Sequence, residues 1–141
     1  MTVRQISVFM ENKPGMMVKI TDALGNAGVD IRALSLADTQ DFGILRLIVS
    51  DTDKAREALK TVGCITSVTD VIVAELSDTP GAMTETVRLL AEKEINIEYI
   101  YAFVSPGKEK KAYTVLRVKD TAGACEVLKN ADITLAGEGI I

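Results

Sequence analysis

The sequence contains no histidine, only two cysteines and only six aromatic residues in 141 positions. Without histidine the chain lacks the side chain that most often serves as general acid, general base or metal ligand near neutral pH. The two cysteines, Cys64 and Cys125, are far apart and occupy non-equivalent places in the pattern described below, so they form neither a disulfide framework nor a set of metal ligands. Each reads as a structural residue, Cys125 in a helix and Cys64 at a turn into a strand. With no activated nucleophile and no extended glycine-rich phosphate loop, the sequence argues against an enzyme. It calls for no metal and no cofactor.

Long apolar runs are also missing. No segment approaches the roughly 18 consecutive apolar residues of a membrane helix, and the N-terminus runs straight into a strand-like pattern without the apolar core of a signal peptide. The expectation is a cytoplasmic protein with no membrane partner. Its 16 basic residues are scattered against 20 acidic ones, giving a net charge of −4. The densest basic run, Lys108-Glu109-Lys110-Lys111 beside Pro106-Gly107, reads as a hairpin tip. Tracking a phosphate backbone takes an extended basic surface, so no nucleic-acid partner is expected.

What the sequence does have is a loop stated twice. Asn12-Lys13-Pro14-Gly15-Met16-Met17 returns 66 residues later as Asp78-Thr79-Pro80-Gly81-Ala82-Met83. Leu24, Asp30 and Ile31 find counterparts in Leu90, Asn96 and Ile97 at the same offset. After a three-residue slip, Asp51-Thr52-Asp53-Lys54-Ala55-Arg56-Glu57-Ala58-Leu59-Lys60 matches the segment beginning Asp120-Thr121 at six positions in ten. Two matching stretches in the same order indicate two copies of one module, at residues 1–69 and 70–141.

Each copy spells the same order of elements. Val3 to Glu11 reads as a strand; Met17, Ile20, Leu24 and Ala27 form one helical face that Gly28 ends. Two extended runs, Val29–Ala37 and Ile44–Val49, flank the polar turn at Asp38–Asp41. Asp51-Thr52 begins a second helix closed by Gly63, and a strand follows at Ile65–Thr69. The second copy repeats this with a strand at Val71–Leu76, helix Met83–Lys93, strands Ile95–Val104 and Ala112–Val118, helix Thr121–Ala131 and a last strand near Gly139-Ile140-Ile141. The fold class is α+β, with two ferredoxin-like β-α-β-β-α-β modules in tandem, antiparallel sheets and helices on one face. Because Ser67 to Leu76 must serve the end of one copy and the start of the next, one long strand is expected to take both places. About 70 residues bury only a modest core, so the modules are expected to lean on each other.

The repeated loop has a chemistry of its own. Proline removes a backbone donor and glycine allows close approach, so Pro-Gly before a helix leaves its first-turn amides open, where the helix dipole favours a carboxylate or phosphate. A carboxylate there and an ammonium beside Asp30 or Asn96, in one small cavity completed by an adjacent module, would describe an amino acid. The plainer reading, in which Pro-Gly only shapes the turn and Asp30 and Asn96 only end strands, accounts for the same spacing.

A polar residue, any residue, Pro-Gly, a helix with spaced aliphatics, then Gly-Val-Asp-Ile or Glu-Ile-Asn-Ile together resemble the ACT domain, a regulatory amino-acid-binding module. The resemblance covers nearly the whole chain in two copies. It implies modules paired side by side in a continuous eight-stranded sheet, a free amino acid as effector, and ligand positions at Asn12, Pro14, Gly15 and Asp30, and at Asp78, Pro80, Gly81 and Asn96. ACT modules are commonly appended to a catalytic or DNA-binding domain; here two of them fill the sequence, which implies action on a partner enzyme of amino-acid metabolism. The acid changes places between copies, Asn12 with Asp30 but Asp78 with Asn96, so the two sites are not equivalent.

Tyr99, Tyr101 and Phe103 line one face of a strand, with Tyr113 on the next. If Leu34, Leu36 and their counterparts face the helices, these aromatics face away, and an uncovered aromatic face indicates a partner surface; a homodimer is the expectation. The broken alternation at Ile31 and at Ile97 predicts either a bulge in each copy or an isoleucine that belongs to the preceding turn. Two functions remain in contention, an amino-acid sensor acting on a partner and an assembly module whose ligand loops are vestigial.

Overall fold

A computed structural model describes residues 1–38, 41–105 and 111–139. The elements run β1 (Val3–Glu11), α1 (Met16–Asn26), β2 (Ile31–Asp38), β3 (Phe42–Val49), α2 (Thr52–Thr61), β4 (Ile65–Leu76), α3 (Ala82–Glu92), β5 (Ile97–Val104), β6 (Ala112–Val118), α4 (Thr121–Asn130) and β7 (Leu135–Ala136). The β-α-β-β-α order therefore occurs twice. The chain divides into two compact units, residues 4–69 and residues 70–141 with 1–3, and the division falls inside β4.

In the first unit the strand order is β2-β3-β1-β4. β3 pairs antiparallel with β1 (Ile6 opposite Leu47, Val8 opposite Leu45) and with β2 (Leu34 opposite Leu47, Leu36 opposite Leu45). Side chains directly opposite one another share a face. Ile6, Val8, Met10, Leu45 and Leu47 accordingly turn one way and close over Ile20 and Leu24 of α1 and Ala55 and Leu59 of α2 in a single core. Both helices lie on that face because their apolar stripes, spaced by three and four, have nowhere else to bury. The second unit has the order β5-β6-β4-β7. Its core joins Ile72, Ala74, Leu116 and Val118 to Leu90 of α3 and Leu128 of α4. This is the antiparallel ferredoxin-like arrangement in tandem that the spacing predicts.

All four helices end alike. In each, the residue after the C-cap is left-handed and two backbone bonds close the last turn. The bonds from Gly28 to Gly25 and Val29 to Leu24 in α1 recur as Gly63 to Lys60 and Cys64 to Leu59, Glu94 to Ala91 and Ile95 to Leu90, and Asp132 to Lys129 and Ile133 to Leu128. The residue that follows then packs on the core beside the last leucine, the apolar clasp that accompanies this stop. Cys64 is one of these clasps. Cys125 is buried in the second core and donates to the Met1 carbonyl at 3.6 Å. Both cysteines are free and structural.

The expected bulges are present as register shifts between Ile31 and Ala33 and between Ile97 and Tyr99. The long strand expected to serve both copies is present: β4 runs unbroken for twelve residues, so seven strands stand among the described residues where the resemblance implies eight. Among the described residues the last strand lies at Leu135–Ala136; the strand expected near Gly139-Ile140-Ile141 falls on positions of which 140 and 141 lie outside the described residues. The stop at Asp132 turns the chain straight back to β4, where Ala136 meets Val73, Leu135 meets Ala74 and the Thr134 carbonyl accepts from the Glu75 amide at 2.8 Å. Residues 140–141, Thr39-Gln40 of the first hairpin and the Pro106–Lys110 hairpin tip lie outside the described residues.

Candidate functional site

The four helices begin in two different ways. Asp51 caps α2, its Oδ1 accepting from the Lys54 amide at 3.0 Å, and Asp120 caps α4, accepting from the Gly123 amide at 2.9 Å. α1 and α3 instead begin after Gly15 and Gly81, at φ +91° and +90°, and neither has a side-chain cap. A left-handed residue following proline needs glycine, and nothing lies within 4 Å of where a Cβ would sit on either one. The chain thus caps the helices that follow the Asp-Thr steps. It leaves the two that follow Pro-Gly open at their positive ends, in exposed loops, where an anion is favoured. Met16 and Met17 sit half-buried against the first core behind this opening.

The structure separates residues that the sequence motif groups. In the first unit the Asn12 amide donates to the Asp41 carbonyl at 3.1 Å, just before β3, whereas the Asp30 amide donates to Ser50 Oγ and the Asp30 carbonyl accepts from the Ser50 amide, both at 2.9 Å, just after β3. Eight residues of strand lie between, about 25 Å at the usual rise. A β-α-β crossover carries the chain back along the sheet to the end at which β1 began, so the loop after β1 and the entry to β2 fall at opposite ends. The same holds for Asp78 and Asn96 in the second unit.

The two strand-entry positions differ in chemistry. Asp30 is exposed and its carboxylate meets the Arg32 guanidinium at 2.7 Å, while Arg32 Nε is buried and has no hydrogen-bond partner among the described residues. At the corresponding place the second unit has Asn96 and Glu98, with Glu98 against Arg117 at 3.6 Å. Asn96 borders an open hollow of about 410 Å³ together with Lys93, Glu94, Glu98, Lys119 and Asp120. A second hollow, about 320 Å³, lies at the open end of α3 between Ser77, Ala82, Glu85, Thr86, Asp132 and Thr134. Reading the motifs alone passes over Arg32, Glu85, Lys93 and Lys119. Each lies near a motif but outside it, and only the fold makes them neighbours of the motif residues.

The aromatic stripe is less open than the pattern implies. Tyr101 lies opposite Val115 and Phe103 opposite Tyr113, whose rings stack at 5.4 Å. Tyr99, Tyr101 and Phe103 are half-buried and Tyr113 is only 3% exposed. On the helix side of the same strand Ile100 and Val104 are exposed. Among the described residues no helix is long and apolar enough to cross a membrane, and no three or more acidic or cysteine side chains gather as a metal site.

A family model described as an ACT domain pair matches residues 1–139. The crystal structure of protein BT0572 from Bacteroides thetaiotaomicron is similar over 96% of this chain and 92% of that one, with 36% identity and a TM-score of 0.88. The ligand-free regulatory subunit of aspartate kinase from Thermus thermophilus shares the fold at 18% identity and a TM-score of 0.63, over 91% of each chain. A structure of aspartokinase alpha and beta subunits does so at 21% and 0.59, over 92% of this chain and 91% of that one. A search of curated proteins finds no match. With two copies of the module, open Pro-Gly helix starts in both and a family match over nearly its whole length, the chain belongs to the family of paired ACT domains.

Proposed function

We propose that this protein is a cytoplasmic regulator that binds a free amino acid at its Pro-Gly loops and thereby modulates a partner enzyme of amino-acid metabolism. The observation that carries this reading is the contrast between the two aspartate-capped helices and the two uncapped ones behind Gly15 and Gly81. A fold that caps two of its helices and leaves open the two that follow its repeated motif keeps a place for an anionic group such as an α-carboxylate. Asn12 and Asp78 flank these openings. Asp30 and Asn96 lie at the other end of each unit and would reach the ammonium of such a ligand only from an adjacent module that brings its own strand entry beside the opening. The aspartate kinase regulatory subunit that shares this fold is a precedent for the fold serving as a regulatory subunit. Any change in the partner is limited to the ligand's difference in affinity between two states of the regulator.

The test is a thermal-shift screen of the full chain against the twenty amino acids, followed by calorimetry. A ligand present at about a hundred times its dissociation constant adds about 2.7 kcal/mol, so one chemically related group of amino acids should raise Tm. Asn12→Ala or Asp78→Ala should abolish the response. If no amino acid shifts Tm, and a variant with alanine at positions 12, 30, 78 and 96 remains active in the cell, the chain is an assembly module and this reading is wrong.

A further inference from the structure

The bulges in β2 and β5 set one extra residue beside each strand entry, and the two units put opposite charges there. In the first unit the residue inside the register shift is Arg32, in the second it is Glu98. A bulge re-aims the side chain it carries. Arg32 is aimed at Asp30, its Nη1 lying 2.7 Å from Asp30 Oδ2, the length of a charge-assisted bond. An exposed ion pair is ordinarily weak, but this one is held from both sides. The Arg32 side chain is only 29% exposed, against 65% for Asp30, and its Nε is buried, so a packed stem keeps the guanidinium on the carboxylate. Asp30 in turn is fixed by Ser50, whose Oγ accepts from the Asp30 amide and whose own amide donates to the Asp30 carbonyl. A second cation of the same unit stands nearby: the Lys54 ammonium comes to 3.8 Å from where a Cβ would sit on Gly28, two residues before Asp30.

The second unit replaces each of these groups. Glu98 is drawn to Arg117 of β6 at 3.6 Å, and Arg117 is anchored by donating to the Asp70 carbonyl at 3.1 Å. Lys119 stands where the first unit has Ser50, and Gly123 where it has Lys54. Asn96 is left with no side-chain hydrogen bond among the described residues, at the border of the 410 Å³ hollow. We propose that Arg32 is a built-in occupant of the Asp30 position, its guanidinium standing where the ammonium of an amino acid stands at Asn96, so that the chain takes up one amino acid and not two. This rests on the reading above, in which the strand entry of an adjacent module receives the ammonium; it adds that the chain closes one of its two entries by itself. A free ammonium at Asp30 has to displace a cation tethered two residues away, present at an effective concentration on the order of millimolar or more.

The test is stoichiometry. Each of the twenty amino acids is titrated by calorimetry into the full wild-type chain, Arg32→Met and Arg32→Lys. Methionine keeps a packed stem and removes the charge, whereas lysine keeps the cation. The wild type should bind one molecule per chain, Arg32→Met two, and Arg32→Lys one. Asn96→Ala should abolish binding in the wild type and leave one molecule per chain in the Arg32→Met background. Circular dichroism and the urea midpoint check that the variants fold, and Arg32→Gln takes the place of Arg32→Met if the latter does not. Two molecules per chain in the wild type, or one in the folded Arg32→Met or Arg32→Gln chain, overturns this proposal and leaves the amino-acid reading standing. Binding by neither the wild type nor an uncharged variant overturns both.

Discussion

Replacing Glu94 with glycine should make this protein more stable, although the change deletes a side chain and adds no contact. Glu94 occupies the left-handed position that ends α3, at φ +56°, and its counterpart at the end of α1 is Gly28, at φ +71°. A residue with a Cβ pays about 1–2 kcal/mol in that region, whereas glycine gives back about 0.5–1 kcal/mol through the freedom it has in the unfolded chain. The glutamate also places negative charge at the negative end of the helix dipole, which costs a few tenths more at an exposed position. It makes no ion pair among the described residues. The net expectation for Glu94→Gly is a gain of about 1 kcal/mol, or about 3 °C in Tm for a chain of this size. Urea unfolding should show a higher midpoint at an unchanged slope, the mark of altered stability without altered compactness. Gly63→Ala is the reverse experiment. Gly63 sits at φ +80° with nothing within 4 Å of where a Cβ would sit, so any loss, expected at about 1 kcal/mol, is conformational and not steric. A neutral or destabilising Glu94→Gly alongside a harmless Gly63→Ala would refute the reasoning.

The remaining predictions are about the caps and the cores. Asp51→Ala should cost about 1 kcal/mol, since the Lys54 amide loses its acceptor, whereas Asn12→Ala, beside a helix with no side-chain cap, should change stability far less; chemical denaturation of both variants measures the contrast. Leu47→Ala, at a fully buried position facing both helices of the first unit, should cost about 2–5 kcal/mol by cavity formation, as read from the shift in unfolding midpoint.

Much of this molecule was legible because its information is local. β1 and β6 fall at the predicted residues, and Asp51 and the glycines at 28 and 63 mark helix ends because capping and left-handed stops depend on the residues at those positions and their near neighbours. The bulges at Ile31 and Ile97 could be read from broken alternation, since a two-residue period tolerates no extra residue without changing face. The repeat, and with it the count of modules, followed from identities alone.

The tertiary structure decided the rest because it depends on where separate segments end up. Asn12 and Asp30 are 18 positions apart and share a family motif, but a crossover connection puts them at opposite ends of one unit, and no spacing rule carries that distance. Leu34 and Leu36 have the apolar character and the phase of core residues. Only the extent of the two helices over the sheet leaves them exposed on an outer edge. The strand at Leu135–Ala136 likewise depends on the stop at Asp132, which turns the chain onto β4 beside Val73 and Ala74. Sequence determines what each turn of chain prefers to be; the sharing of a finite covered surface among strands determines which of those residues stay in contact with water.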